Sequence, residues 1–350
     1  MDTPSGVAFI CEADGKILPD FVDEEHDNPE CPLEKIERGV IEGGQRKVGE
    51  KSKIEWCDST WNPITGCLHG CEYCYARGIA HRFGGLAPDD KCHELEELNR
   101  DAKGKPDPYP FGFAPTFHRY LLDKPQHWKK PRNIFVGSMA DMWGQWVPDN
   151  WKIEVIEACK KAPQHSYLFL TKDPIGYSVW PTKEHKGFDD VASRTDNMWL
   201  GVTYTGTERL DGHYQECEKE KRTGIWTNFW YLWRMGRAIT PGRHHTFLSI
   251  EPLKNDICEV EDERNGGKLL ENFLRPNSFM TPAKFFEWVI VGAETGNRKG
   301  KIKPRKEWVD KIVELCDRDN IPVFMKESLL PIMGEESMRR DLPPGLRRGL

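Results

Sequence analysis

Short, nearly unbroken apolar runs recur along the chain, each closing on polar residues and most followed by a stretch of helical spacing. The runs cover residues 61–65, 133–137, 166–170, 198–202, 245–250, 288–292 and 322–325. Continuous apolar strands, rather than strict alternation, belong to parallel sheets covered on both faces. Three intervening segments predict helices: 75–83, with Ile79 and Phe83 on one face; 150–161, with Trp151, Val155, Ile156 and Cys159; and 308–319, with Val309, Ile312, Val313 and Cys316. Pro148 and Asp149 supply a start signal for the second. A longer candidate, 208–236, joins a charged cluster to the aromatic one of Trp226, Phe229, Trp230, Tyr231 and Trp233. It reads as a helix packed on the barrel wall, with an interface marked by exposed aromatics as the alternative.

Strand-then-helix repetition with right-handed crossovers predicts an α/β fold, a partial or full TIM-like barrel of about six to eight parallel strands. A doubly wound open sheet is the alternative, but no G-x-G-x-x-G follows any of these strands. Residues 1–51, rich in Asp, Glu, Gly and Pro and holding Cys11 and Cys31, read as an N-terminal extension. The barrel domain is expected over 52–330 with insertions near 84–131 and 206–243, and 331–350 as a C-terminal tail. The first insertion reads as irregular, with a short amphipathic piece at 95–98 and aromatic anchors at Tyr109, Phe111, Phe113 and Trp128.

In such barrels the active site lies at the carboxyl ends of the strands, so the polar residues closing each run should converge. They include Thr65, Ser138, Asp141, Thr171, Lys172, Thr203, Thr205, Ser249, Glu251, Glu294 and Lys326. Ser, Thr and Asp also favour helix N-caps, whereas a charge directly after a buried strand needs a partner. Glu251, Glu294 and Lys326 are therefore the candidate catalytic residues, able to hold a polar substrate or move protons. An ion-pair network across the barrel mouth is the structural alternative.

Directly after the first run stand Cys67, Cys71 and Cys74, spaced C-x3-C-x2-C, close enough for one loop to turn three thiolates toward a common centre. Three ligands leave one position of a metal centre open. Gly66 and Gly70 precede the first two cysteines, and glycine lets backbone approach a large inorganic body. The alternative is a structural zinc completed by Cys57, Cys92, His69 or His81, although zinc sites more often come as two separated C-x2-C pairs.

With the aromatic Tyr73 before the third cysteine, this spacing resembles the radical S-adenosylmethionine (SAM) enzymes, in which three cysteines hold a 4Fe-4S cluster and SAM chelates the fourth iron. More narrowly, 54–76 is similar to a phage-associated radical-SAM-like family. So are Phe135-Val-Gly-Ser-Met-Ala-Asp141, Leu168-Phe-Leu-Thr-Lys172, Phe247-Leu-Ser-Ile-Glu-Pro252, Trp288-Val-Ile-Val-Gly-Ala-Glu294 and Val323-Phe-Met-Lys326. The resemblance covers most of 52–330. It implies Cys67, Cys71 and Cys74 as metal ligands, reductive cleavage of SAM to a 5′-deoxyadenosyl radical that abstracts hydrogen from a substrate, and a flavodoxin- or ferredoxin-type reductant. By position it puts Ser138 and Asp141 where the family carries a glycine-rich contact to the methionyl amine, although Gly-Gly-Glu itself is absent. It also implies Tyr73 near adenine, and among the strand-end residues Lys172 could pair with the SAM carboxylate and Thr203 or Thr205 could reach the ribose.

Composition narrows the rest. Of 350 residues 38% are hydrophobic, with 13 Trp and 16 Phe, which suffices for a sizeable core and excludes a wholly disordered chain. Net charge is −6, from 56 acidic against 50 basic residues, so no global footprint for a polyanion exists. One dense basic run, 298–306, follows the sixth strand and is the candidate phosphate contact, making a nucleotide or nucleic acid the preferred substrate class, with a solvated loop as the plain alternative. The eleven cysteines form no regular framework, and no signal-peptide pattern or membrane-length apolar run is present, so a soluble, cytoplasmic protein is expected. No cysteine-dense region follows Cys92, so one cluster is expected. The rival from another class is a zinc-stabilised nucleic-acid-binding protein without catalysis.

Overall fold

The structure, a computed structural model, describes residues 9–10, 17–18, 52–84, 91–177, 197–207, 225, 229, 244–263, 265–275 and 285–346. The chain divides into two units, Met1–Lys53 and Ile54–Leu350. Within the first, β1 (Phe9–Ile10) and β2 (Ile17–Leu18) pair antiparallel.

The second unit opens with β3 (Ser59–Trp61). Sequence periodicity predicts one strand over 61–65, but the run divides at Pro63. Proline has no N–H to give a ladder, so the chain leaves the main sheet there. It enters β4 (Ile64–Thr65), then α1 (Tyr75–Gly84), β5 (His93–Leu95) and β6 (Thr116–His118). The last three strands named form a separate small sheet in the order β4-β6-β5. The insertion expected to be irregular thus contributes two strands, and Leu95 ends β5 instead of starting an amphipathic piece.

The main sheet continues through β7 (Asn133–Val136), α2 (Asp149–Lys160), β8 (Ser166–Thr171), β9 (Met198–Thr203), β10 (His244–Ile250), α3 (Leu269–Leu274), β11 (Trp288–Val291), α4 (Lys306–Arg318) and β12 (Val323–Met325). Its order is β3-β7-β8-β9-β10-β11-β12, every pairing is parallel, and the seven strands curl into a partial TIM-like barrel. The helix expected at 208–236 lies outside the described residues except for Ile225 and Phe229, which are helical and buried.

Alternation along each strand sorts side chains to two faces. One face carries Ile134, Val136, Phe169, Leu248, Val289 and Val323 into a core shared with α2 and α4, where Val155, Ile156, Cys159, Val309, Ile312 and Cys316 are buried. Each fully buried Val or Ile there contributes about 1.5–3 kcal/mol. The other face carries Phe135, Leu168, Trp199, Phe247, Ile290 and Phe324, which pack round Trp56. Two-residue steps beyond this second layer reach Lys172, Thr203, Ser249, Glu251 and Lys326. The same alternation that fills the barrel therefore delivers polar groups to its carboxyl mouth.

After β12 comes α5 (Leu330–Met333), and the chain then lies back against the sheet. Arg340 bridges Phe324 antiparallel, Trp288 Nε1 donates to the Asp341 carbonyl at 2.9 Å, and Leu346 is buried with the Trp56 layer.

Candidate active site

The cysteine loop is stitched to the loop after β7. The Gly66 N–H donates to the Met139 carbonyl at 2.9 Å, and Asn62 Oδ1 accepts from Ser138 Oγ at 3.0 Å and from the Met139 N–H at 3.1 Å. Tyr75 OH donates to the Ser138 carbonyl at 2.8 Å. Gly66 sits at φ +88°, and a Cβ there would lie 2.2 Å from the Ala114 carbonyl oxygen. Its glycine is thus required by close backbone packing. Gly70, at φ +70° with open space around it, serves the turn itself.

Asp141 is the hub of this region. Its Oδ2 pairs with His69 Nε2 at 2.8 Å and accepts the Lys172 N–H at 2.9 Å, while Oδ1 accepts Thr171 Oγ1 at 2.7 Å and the Trp143 N–H at 3.2 Å. Burial works against ionisation, yet the bonds to His69, Lys172 and Thr171 outweigh it and hold the carboxyl below its ordinary range. Because His69 stands between Cys67 and Cys71, this carboxylate fixes the loop that carries the cysteines. Trp146 closes edge-on over the His69 ring at 4.8 Å.

A cavity of about 370 Å³ opens at the strand ends. It brings together Cys67, Cys71, Cys74, Tyr73, Ser138, Asp141, Lys172, Thr203, Glu251, Glu294 and Lys326. Of the residues expected there, Thr205 is not in the lining; its hydroxyl bonds Thr207 Oγ1 at 2.8 Å and its carbonyl accepts the Lys254 N–H at 3.0 Å. Ser138 and Asp141 line the cavity, with their side-chain oxygens bonded to Asn62, His69 and the Thr171–Lys172 step.

Two ion pairs stand at the mouth. Lys326 Nζ meets Glu251 Oε1 at 2.5 Å. Arg298 grips the buried Glu294 carboxylate with two bonds of 2.6 and 2.8 Å, and reaches Glu72 in the cysteine loop at 3.3 Å. This hydrogen bonding, led by Arg298, lowers the Glu294 pKa. Arg298, the first residue of the basic run, is thus engaged internally. Lys301 donates to the Gly296 carbonyl and Lys306 pairs with Asp310, whereas Lys299 and Lys303 are exposed.

Two thiols of the trio lie in apolar surroundings: Cys67 and Cys74 pack against Ala76, Ala80, Phe113 and Met139. Burial pushes both thiol pKa values up, for Cys67 with the Asp141 charge adding to it. The Arg77 N–H donates to Cys74 Sγ at 3.4 Å. Among the described residues, no group of three or more His, Cys, Asp or Glu side chains surrounds one point closely enough to hold a single metal ion.

Sequence reasoning passed over Lys254, whose Nζ lies 4.3 Å from the Tyr73 ring centre, with Lys172 Nζ also near it at 5.4 Å. Its signal was present, since it follows the sheet's fifth apolar run by four residues. The bond from His69 to Asp141 spans 72 positions and had no local signal.

Among solved structures, a point mutant of spore photoproduct lyase is similar at 9% identity and a TM-score of 0.44, over 80% of this chain and 79% of that one. Spore photoproduct lyase complexed with dinucleoside spore photoproduct is similar at 9% identity and a TM-score of 0.45, over 81% of each chain. No curated protein matches the sequence. No described helix is long and apolar enough to cross a membrane. The family model described as "Protein of unknown function (DUF5131)" matches residues 51–223 and 238–330, more than half of the chain, and the chain belongs to that family.

Proposed function

We propose that the chain is a radical SAM enzyme with a single 4Fe-4S cluster on Cys67, Cys71 and Cys74. The observation that carries this reading is the gathering of three thiols from one loop in the cavity where the strand-end charges of a parallel partial barrel meet. Three thiols on one loop fit a cubane with one iron left open better than a structural zinc, which takes four protein donors. The apolar packing of Cys67 and Cys74 suits a centre shielded from solvent. When bound and reduced, the cluster supplies the electron that splits SAM into methionine and a 5′-deoxyadenosyl radical, which takes hydrogen from the substrate.

The chain's own residues would bind and orient. Lys172 offers a cation to the SAM carboxylate, Thr203 a hydroxyl to the ribose, and Tyr73, flanked by Lys172 and Lys254, a ring beside the adenine. Ser138 and Asp141 hold the turn and the cysteine loop in place. The Glu251–Lys326 pair and Glu294 border the substrate side, where a neighbouring carboxylate and ammonium can exchange a proton. A phosphate-bearing substrate would meet Lys299 and Lys303 at the rim, and the electron would come from a flavodoxin- or ferredoxin-type partner.

The test is iron content and SAM cleavage in anaerobically purified protein. About four irons per chain and 5′-deoxyadenosine on reduction are expected. One zinc and no iron in colourless protein would establish the structural-zinc, nucleic-acid-binding alternative.

A further inference from the structure

Tyr75 is the most open large aromatic side chain among the described residues, 55% exposed, and it lines the cavity. Its surroundings explain how a ring can be both open and fixed. The hydroxyl is bonded to the Ser138 carbonyl at 2.8 Å, and the backbone starts α1 immediately after Cys74. The phenol is therefore tethered at its hydroxyl and at the helix start while more than half of the side chain stays open. Glu251 and Lys326 line the same cavity as the ring. Glu251 spends Oε1 on Lys326, while Oε2 has no partner among the described residues, and Lys326 Nζ retains donors beyond this bond. An acceptor and a donor thus stand side by side in the cavity that the open ring lines.

We infer that Tyr75, Glu251 and Lys326 form a subsite for a nucleobase, with the ring as its stacking face and the ion pair as the reader of its hydrogen-bonding edge. A pre-fixed aromatic plane loses little entropy on stacking, and every base presents a π-face. A base edge carries adjacent donors and acceptors, which an ammonium–carboxylate pair complements and an aliphatic group cannot. The inference rests on the cofactor reading for the site's purpose, and it narrows the substrate to a nucleoside, nucleotide or base-exposing nucleic acid.

The full chain, reconstituted with iron and sulfide anaerobically and saturated with SAM so that SAM's own adenine is already placed, is titrated calorimetrically with thymidine, deoxycytidine, deoxyguanosine and deoxyadenosine. At least one should bind. Tyr75→Leu should weaken that binding about ten-fold or more, the loss expected when a base–aromatic stack is removed. Tyr75→Phe, which keeps the ring, should bind far more tightly than Tyr75→Leu, and Glu251→Gln should change the ranking of the four bases. The inference is overturned if none binds, if Tyr75→Leu binds as the parent does, or if an N-acetylated dipeptide amide binds in preference to all four. Iron content and 5′-deoxyadenosine yield on the same preparation separate the two readings. Normal SAM cleavage with no nucleoside binding sinks only the subsite, whereas Tyr75-dependent nucleoside binding in iron-free protein upholds it and sinks the cofactor.

Discussion

Replacing Asp141 with alanine would remove the one carboxylate on which His69, Thr171, Lys172 and Trp143 close. The Thr171 hydroxyl can rotate to another acceptor, but the Lys172 and Trp143 N–H groups cannot. A buried donor left unsatisfied costs about 1–3 kcal/mol, so two of them, with the His69 tie, give roughly 4 kcal/mol. That is a large part of a typical domain stability of about 5–15 kcal/mol. Asp141→Asn keeps Oδ1 for Thr171 and Trp143 and sets an NH₂ group against the Lys172 N–H. It should cost about 2 kcal/mol. Urea unfolding monitored by tryptophan fluorescence measures both, as a lower midpoint at unchanged m-value. The sign of the pH effect follows from the lowered folded pKa. Stability from this carboxylate is complete above the unfolded value and is lost as pH falls through the folded one. The gap between parent and Asn variant should therefore stay constant from neutral pH to about pH 5 and close only in stronger acid. Because His69 is released, both variants should also retain less iron. A parent-like midpoint for Asp141→Ala, with full iron, would refute the hub.

Alanine at Cys67, Cys71 or Cys74 should abolish iron retention, while Cys57→Ala and Cys92→Ala keep it; full iron in Cys71→Ala would remove the metal assignment. His118 is buried against Thr65 at 2.8 Å, and burial lowers its pKa to about 4. The unfolded chain takes a proton near pH 6.5 that the fold refuses, so unfolding free energy should fall by about 3 kcal/mol between pH 6.5 and 4, and His118→Gln should flatten that slope. Charge reversal at Lys299 and Lys303 should weaken binding of phosphate-bearing ligands with iron content unchanged, as read by filter binding of a labelled oligonucleotide; binding equal to the parent's would dismiss the rim contact.

The main sheet was legible because six of its seven strands, β7 to β12, are apolar runs bounded by polar residues, and burial on both faces forces that composition. Most of the cavity residues were legible for a related reason: they stand a fixed one or two steps beyond those runs. Reading failed where local pattern is weak or ambiguous. Trp61 and Ile64 form one apolar run, yet Pro63 sends them to different sheets. The segment His93-Glu94-Leu95 carries too little apolar character to announce a strand. The roles of Arg298 and Asp141 depend on partners far along the chain. A basic residue in a basic run looks like a phosphate ligand until Glu294 is found beneath it.

The segment lying along β12 bears on self-association. A strand at the end of an open sheet offers unpaired N–H and carbonyl groups to any second strand that meets it. Here the Met325 N–H donates to the Arg339 carbonyl at 2.8 Å and the Asp341 N–H to the Val323 carbonyl at 3.0 Å, so that edge is already taken by the chain itself. Trp288 hangs its indole N–H on the same segment, and Leu346 seals the layer beneath. Residues 339–346 thus work as a gatekeeper. Trimming the chain before Arg339 would bare the edge and an apolar layer together, and the shortened protein should pass into aggregates.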